Sequence, residues 1–203
     1  MPTLAALFDR VKALGASEVR FNIETKVEPG AGPASVSPEE VTRAILRVVK
    51  EAGMTARVSL QSFDWRTLQL AHKLAPHLPT VYLTSQPAHF DTIRDGRWTA
   101  GFKLADYGSV ALMVKAAGGT AWSPYSGNLT EALVKEAHAL GLKVIPWTVN
   151  SPADFDRLLG WTVDGIITDY PDRLREAMRR CNMPLPHRCR RLPPSSIDGR
   201  PAA

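Results

Sequence analysis

The sequence has few cysteines, and both lie near its C-terminal end. Cys181 and Cys189 are the two among 203 residues. A pair this sparse is neither a disulfide framework nor a zinc site with the usual ligand spacing. The two thiols are expected to be incidental, and the alternative is a single disulfide loop in an oxidising compartment.

The chain also lacks any apolar run approaching the roughly 20 residues of a membrane-spanning helix. Met1 is followed directly by Pro2-Thr3-Leu4, without the basic and then apolar segments of a secretory signal peptide. As it stands, the sequence is expected to be a cytoplasmic protein without a membrane span. A longer parent could be periplasmic, since an N-terminal signal would be lost together with a missing segment.

The net charge of +5 comes from one end of the chain. Residues Arg179–Ala203 contain six arginines and a single acid, Asp198, whereas Met1–Met178 contain 19 basic and 19 acidic residues. The folded part therefore carries no basic excess, and nucleic acid is not expected as its partner. We expect one domain over residues 1–178 and a basic tail over residues 179–203 that is predicted to be disordered.

What the sequence does contain is a regular alternation of apolar runs and helical segments. In Gly141–Leu174, two apolar runs are each followed by a helical segment, and the runs are Leu142–Val149 and Gly165–Thr168. Continuous apolar runs are typical of strands buried on both faces in a parallel sheet. Where these two strands end, at the edge that carries the chemistry in α/β barrels, lie Trp147, Asn150, Thr168 and Asp169. Six strands are predicted in the chain, centred on Ile23, Ser59, Val81, Ala121, Ile145 and Ile166.

The first predicted strand, Glu18–Val27, differs because its residues alternate. Phe21 and Ile23 face one way, and Glu24 and Lys26 face the other. An acid and a base side by side at the mouth of a barrel could hold a cation and a phosphate. The alternative is a solvated ion pair on an exposed edge strand. When these two residues are considered alone, this alternative is favoured.

Local signals mark helix starts and one long loop. Thr3 is a typical N-cap for a helix over Leu4–Leu14, and Ser37 with Glu40 three residues later forms a capping-box pattern for the next helix. The stretch Ser85–Leu104 is long and irregular, and loops of this length are usually functional or mobile.

Five motifs occur in the order found in one enzyme family. They are N-I-E-T-K, L-Q-S-F-D-W, A-W-S-P-Y, G-L-K-V-I-P-W-T-V-N and V-D-G-I-I-T-D-Y-P-D. In this order they resemble the glycerophosphodiester phosphodiesterases, and the resemblance extends from Pro2 to about Met178. Any single motif would be weak, and the order of all five makes the resemblance specific.

The resemblance implies a TIM-type barrel that hydrolyses glycerophosphodiesters to an alcohol and glycerol 3-phosphate. It also implies a divalent cation, Ca²⁺ or Mg²⁺, held by three carboxylates, of which Glu24 would be one. By the same resemblance, Lys26 would lie beside the phosphate of this small-molecule substrate, and Trp147 would line the pocket near the glycerol. These three residues are the site residues expected from the sequence.

The sequence departs from the family where catalysis is concerned. The family's two histidines lie in a His-Arg-Gly and a His-Asp motif, and its other two metal ligands lie in an early Glu-x-Asp pair. None of these motifs occurs in the sequence, and no histidine precedes Glu24. No catalytic residue is therefore assigned among the five histidines, although His89 in the long loop could approach the mouth. The five are His72, His77, His89, His138 and His187.

The expected fold class is thus α/β, an incomplete TIM-type barrel with about six of its eight parallel strands. An open barrel exposes sheet edges, so self-association through those edges is expected. Three hypotheses are consistent with this pattern. The chain is a truncated or mis-started phosphodiesterase with impaired activity, or another chain supplies the first two strands and the histidines, or it is a non-catalytic half-barrel that binds phosphates or a partner.

Overall fold

A computed structural model describes residues 2–32 and 36–186 of the chain. Within these residues lies one sheet of five parallel strands in the order β1-β2-β3-β4-β5. The strands are β1 Phe21–Glu24, β2 Val58–Ser62, β3 Thr80–Thr84, β4 Ala121–Pro124 and β5 Lys143–Val144. Because each strand pairs with the next one along the chain, the connecting helices return on one side of the sheet, as in an α/β barrel.

The helices begin where the capping signals predict. Thr3 caps the first helix, and Ser37 and Glu40 form both halves of a capping box. The helices among the described residues are α1 Leu4–Ala13, α2 Pro38–Glu51, α3 Trp65–Leu74, α4 Leu104–Tyr107, α5 Val110–Ala116, α6 Glu131–Ala139, α7 Pro152–Gly160 and α8 Pro171–Arg180. All of them are too short or too polar to traverse a lipid bilayer. Helix α8 includes Arg179 and Arg180 from the predicted tail, and the tail prediction from residue 187 onward lies outside the described residues.

The prediction of six strands was wrong by one. Segment 165–168 is not a strand, although Ile167 N–H donates to Pro146 O at 3.0 Å. Strand β5 is also two residues long, shorter than the predicted run Leu142–Val149. Pro124 and Pro146 explain both differences, because each lacks the N–H that would face the next strand in the ladder.

One other predicted element is shorter than expected. The first strand is limited to Phe21–Glu24, because β1 pairs only with the four residues Val58–Gln61 of β2. Helices α4 and α5 are separated at Gly108. Gly108 has a φ of 74°, a left-handed conformation that ends α4, and Ser109 then caps α5.

The core lies between the sheet and the helices. Leu60, Tyr82, Trp122 and Val144, from four neighbouring strands, are fully buried on this face. Trp122 Nε1 donates to Thr84 Oγ1 at 2.8 Å, so its one polar atom is satisfied. Each large apolar side chain buried in this way stabilises the fold by about 1.5–3 kcal/mol. This layer fixes the strands, and therefore the positions of the polar residues on the opposite face.

The opposite face of the sheet is the inner wall of an open barrel. A cavity of about 460 Å³ lies along it, lined in part by Val81, Ala121 and Ile145. In the part of the chain that the structure describes, β1 pairs with β2 alone, so one edge of β1 has free backbone groups. The α/β class and the incomplete barrel expected from the sequence are therefore confirmed.

Candidate functional site at the carboxyl ends of the strands

Glu24 and Lys26 lie beside each other where β1 ends. Lys26 Nζ donates to Glu24 Oε1 at 2.7 Å. The lysine side chain is 80% exposed and the glutamate side chain 24% exposed, so solvent reaches the pair from the lysine side. An ion pair this exposed stabilises a protein by about 0–1 kcal/mol. The lysine can therefore turn from Glu24 towards an incoming anion at little cost.

Gln61 holds Glu24 from the neighbouring strand. The strand register places Gln61 opposite Glu24 and Ser59 opposite Asn22. Gln61 Nε2 donates to Glu24 Oε2 at 3.4 Å, and Gln61 Oε1 accepts from Asn22 Nδ2. Ser59 Oγ donates in turn to Asn22 Oδ1 at 2.8 Å. The buried amide of Gln61 thus connects the polar side chains of β1 and orients Glu24.

Trp147 lies in an aromatic cluster at the same end of the sheet. Its ring packs edge-to-face on Phe63, with 5.3 Å between centroids, and tilted against Tyr125, with 5.5 Å between centroids. Its Nε1 donates to Ser123 O at 2.9 Å, so the indole N–H is satisfied. Phe63 also makes edge-to-face contacts with two rings of the long loop after β3, Phe90 and Trp98.

The contact between Phe63 and Trp147 connects the part of the site near β1 and β2 with the part near β5. Phe63 directly follows β2, and Trp147 follows β5, so the two rings come from strands with two others between them. Their contact requires a strongly curved sheet, as in a barrel. Gln61, which orients Glu24, lies two residues before Phe63. Glu24 and Trp147 are therefore joined through residues of one strand end.

The position of Phe63 depends on the next residue, Asp64. This fully buried carboxylate caps α3 by accepting from the backbone N–H of Arg66 at 3.1 Å, and it pairs with the Arg66 guanidinium. The hydrogen bond to Asp64 raises the pKa of Arg66. Asp64 N–H itself donates to Ser62 Oγ at 3.0 Å. These contacts fix the turn from β2 into α3, and with it the direction in which the Phe63 ring projects.

The other polar residues predicted at strand ends also meet. Asn150 Nδ2 donates to Asp169 Oδ2 at 2.9 Å, and Thr168 Oγ1 donates to Asn150 Oδ1 at 3.2 Å. The same Asn150 oxygen accepts from Asp169 N–H at 3.1 Å. Asn150 therefore connects the end of the predicted fifth strand to the end of the predicted sixth. The Asp169 carboxylate is engaged in this contact.

The four histidines of the described residues lie on helices or in loops. His72 and His138 lie on α3 and α6, and His138 Nε2 is 2.9 Å from Asp164 Oδ2. His89 is exposed in the long loop, directly before Phe90 of the aromatic cluster. The other two are His77, which is exposed, and His187, which lies outside the described residues.

A divalent cation would find one carboxylate beside Lys26, that of Glu24. Across residues 2–32 and 36–186, no group of three His, Cys, Asp or Glu side chains could hold a metal ion. Ca²⁺ takes about six to eight oxygen ligands, and Mg²⁺ requires near-octahedral coordination. A single carboxylate that is already paired with a lysine does not fit either ion. A cation bound beside Glu24 would need carboxylates that the described residues do not provide there.

Gln61 and the rings around Trp147 were not among the site residues predicted from the sequence. A signal for Phe63 and Tyr125 was present, because each directly follows a strand. Phe63 follows β2 in the motif L-Q-S-F-D-W, and Tyr125 follows β4 in the motif A-W-S-P-Y. Gln61 could have been found from its place opposite Glu24 once the strand register was known. The loop rings carry no comparable signal, since the path of a long loop does not follow from strand periodicity.

Comparisons with known proteins agree with this geometry. The sequence profile of the glycerophosphoryl diester phosphodiesterase family matches residues 1–173. A glycerophosphodiester phosphodiesterase of Caldanaerobacter subterraneus is 28% identical over 180 residues, which are 89% of this chain and 63% of the relative. A solved Silicibacter pomeroyi protein, provisionally assigned as a glycerophosphoryl diester phosphodiesterase, is 35% identical with a TM-score of 0.74, over 90% of this chain and 57% of that one.

A more distant structure shows the same fold. An Oleispira antarctica phosphodiesterase, solved in complex with the product sn-glycerol-3-phosphate, is 19% identical with a TM-score of 0.63, over 88% of this chain and 61% of that one. The present chain thus spans 57% to 63% of the length of these three relatives. With the family profile covering nearly the whole described chain, this chain belongs to the glycerophosphoryl diester phosphodiesterase family and forms an incomplete version of its TIM barrel.

Proposed function

We propose that this chain forms the phosphate- and glycerol-binding part of a glycerophosphodiester phosphodiesterase site. Lys26 binds the phosphate, Trp147 lines the glycerol pocket, and Glu24 is one ligand of a divalent cation. The observation that carries this proposal is the connection of Glu24 to Gln61 on β2, together with the packing of Phe63 from the same strand end on Trp147. These contacts place the cation of Lys26, the carboxylate of Glu24 and the apolar ring of Trp147 at the carboxyl ends of the strands.

The substrate class is a phosphodiester with glycerol on one side, hydrolysed to an alcohol and glycerol 3-phosphate. Family membership supports this class, and so does the Oleispira relative, which binds that product. The side chains suit the ligand. The lysine is exposed and loosely paired, so it can contact a phosphate oxygen, and the Trp147 ring offers an apolar surface to the carbon chain of glycerol.

We expect the isolated chain to turn over substrate slowly. A general acid or base typically accelerates a reaction by about 10²–10⁴-fold. The family's histidine motifs are missing from the 203 residues, so this contribution is lost. We expect Glu24 to bind Ca²⁺ or Mg²⁺ only when further carboxylates join it at the mouth of the barrel.

A second candidate is a half-barrel that binds a complementing segment. The free edge of β1 and the cavity of about 460 Å³ on the inner face favour this candidate. Strands entering there would pair with β1 and cover apolar residues such as Val81 and Ile145. A second copy of this chain would only cover the free edge, because it lacks the same motifs. Another chain that carries those motifs would also supply the ligands and proton-transfer groups that the family requires.

Binding of glycerol 3-phosphate to the 203-residue chain, measured by calorimetry, tests the proposed roles. We expect Lys26→Met to weaken binding by about tenfold, equivalent to the loss of one charge-assisted contact. Trp147→Phe, which keeps an aromatic ring but removes the indole, should weaken it less than Trp147→Ala. The matched control is Lys135→Met, which removes an exposed, ion-paired lysine on α6.

Equal affinity of Lys26→Met and Lys135→Met would contradict the phosphate role, because both remove one exposed lysine charge. A Trp147→Ala chain that keeps full affinity and an unchanged melting temperature would contradict the glycerol role. A chain that does not bind glycerol 3-phosphate at all, while self-associating through β1, would favour the second candidate.

A further inference from the structure

A surface groove of about 600 Å³ lies between α2 and α3. Helix α2 ends at Glu51 shortly before β2 begins, and α3 ends at Leu74 shortly before β3 begins. The groove is lined by residues from Arg43 onward in α2, by the C-terminal end of α3 and by the segments after both helices, so it lies towards the amino ends of the strands. It is therefore at the opposite end of the sheet from Glu24 and Trp147, and no role described above uses it.

One side of the groove carries a row of cations. Arg43, Arg47 and Lys50 line it and recur at spacings of four and three along α2, which places them on one face of the helix. Arg43 pairs with Glu39 at 2.8 Å. For Arg47 and Lys50, no carboxylate of the described residues lies within ion-pair distance. The groove therefore presents two basic side chains that are available to a ligand.

Stabilisation of the helix end accounts for only part of this row. A cation near a helix C-terminus interacts favourably with the last backbone carbonyls, and the effect falls off within the last turn. Lys50 lies in the last turn of α2, whereas Arg47 and Arg43 lie about one and two turns earlier. The earlier arginines are not explained by the helix end.

The floor of the groove is apolar. Val49 and Leu78 are almost completely buried beneath it, while Leu46 is partly exposed and Leu74 is 43% exposed. A large hydrophobic side chain that is left this exposed beside unpaired cations gives the groove two chemistries next to each other. Its volume lies within the range of small-molecule sites, which is about 300–1,000 Å³.

We propose that this groove binds a single-chain amphiphile with an anionic head group. The head group, a phosphate or a carboxylate, contacts Arg47 and Lys50, and the alkyl chain lies along Leu46 and Leu74. Charge complementarity selects an anion, and the apolar floor selects an anion that carries a hydrocarbon chain. A free inorganic anion would use only the cations, and a neutral surfactant would use only the floor.

The test uses the isotope-labelled 203-residue chain and monododecyl phosphate below its micelle-forming concentration, with binding followed by NMR chemical shifts. We expect chemical shift changes at residues lining the groove. The double variant Arg47→Gln and Lys50→Gln should bind monododecyl phosphate about tenfold more weakly, because charge-assisted contacts to the head group are lost. Leu74→Ala should weaken binding by about threefold, since only part of that side chain is exposed to the ligand. Laurate in place of the phosphate distinguishes the two head groups.

The matched control is Lys115→Gln with Lys135→Gln, which removes the same number of exposed charges from α5 and α6. This control should bind monododecyl phosphate as the unchanged chain does. Equal weakening in both double variants would overturn the proposal, because the attraction would then be general. Dodecyl maltoside or inorganic phosphate binding as tightly as monododecyl phosphate would overturn it too. Since all four charged side chains are exposed, thermal melts should confirm that every variant folds.

Discussion

Replacing Asp64 with alanine tests how strongly the mouth depends on one buried carboxylate. Asp64 is fully buried, caps α3 through the Arg66 N–H, and pairs with the guanidinium of Arg66. Loss of an N-cap costs about 0.5–2 kcal/mol. Loss of the ion pair adds up to about 1 kcal/mol, since the Arg66 side chain is 44% exposed and water replaces the carboxylate.

We therefore expect Asp64→Ala to lower the free energy of unfolding by about 2 kcal/mol. For a domain of this size, that corresponds to a fall in melting temperature of about 4–8 °C. Urea denaturation followed by circular dichroism measures the first quantity, and a thermal melt measures the second. Asp64→Asn keeps an oxygen for the cap and loses only the charge, so it should cost less than about 1 kcal/mol.

Asp95 provides a matched control because it makes the same two contacts in an exposed turn. It accepts from the backbone N–H of Arg97 at 3.0 Å and pairs with Arg97 Nε at 2.7 Å, yet its side chain is 45% exposed. Asp95→Ala should change the free energy of unfolding by about 0.5 kcal/mol or less. Equal effects of Asp64→Ala and Asp95→Ala would refute the reasoning, because burial and the helix cap would then contribute nothing.

Three further predictions concern the site and the core. Burial raises the pKa of Tyr82 to about 12 from its usual 10.0, so the stability of its neutral form is fully present below pH 10 and is lost between pH 10 and 12. That loss should reach about 3 kcal/mol in urea titrations and be absent in Tyr82→Phe. In metal-free buffer, Glu24→Gln should strengthen glycerol 3-phosphate binding by about twofold to fivefold, because Glu24 competes for Lys26, and weaker binding in calorimetry would contradict this. Phe63→Ala, which removes the ring that packs on Trp147, should also weaken glycerol 3-phosphate binding. Unchanged affinity in this variant would show that the aromatic cluster does not contribute to binding.

Much of the fold could be predicted because its signals are local. Helix starts followed from side chains such as Thr3 and Ser37, whose caps are present as expected. The alternation of apolar runs and helices predicted a parallel α/β sheet, which the strand order confirms. The rule that residues two apart on a strand share a face predicted that Glu24 and Lys26 lie together. The two side chains are in contact, although Lys26 lies just beyond the end of β1.

The remaining features depend on contacts between distant residues. The apolar run ending at Val149 gives only a two-residue strand, because Pro146 and Pro124 lack the backbone N–H groups that would continue the ladder. The spacing of apolar residues does not reveal this loss. The pairing of Gln61 with Glu24 depends on the register between β1 and β2. Packing of Phe63 on Trp147 depends on the curvature of the whole sheet. The roles of Glu24, Lys26 and Trp147 in binding remain predictions.

The most direct measurement is choline release from glycerophosphocholine in the presence of Ca²⁺ or Mg²⁺. The 203-residue chain would be assayed alone and together with a polypeptide that supplies the His-Arg-Gly, Glu-x-Asp and His-Asp segments of the family barrel. We predict a negligible rate from the chain alone and a metal-dependent rate from the mixture that is lost with Glu24→Gln. A full metal-dependent rate from the chain alone, or no gain on mixing with a segment shown to bind it, would contradict the claim that this chain is an incomplete half of the site.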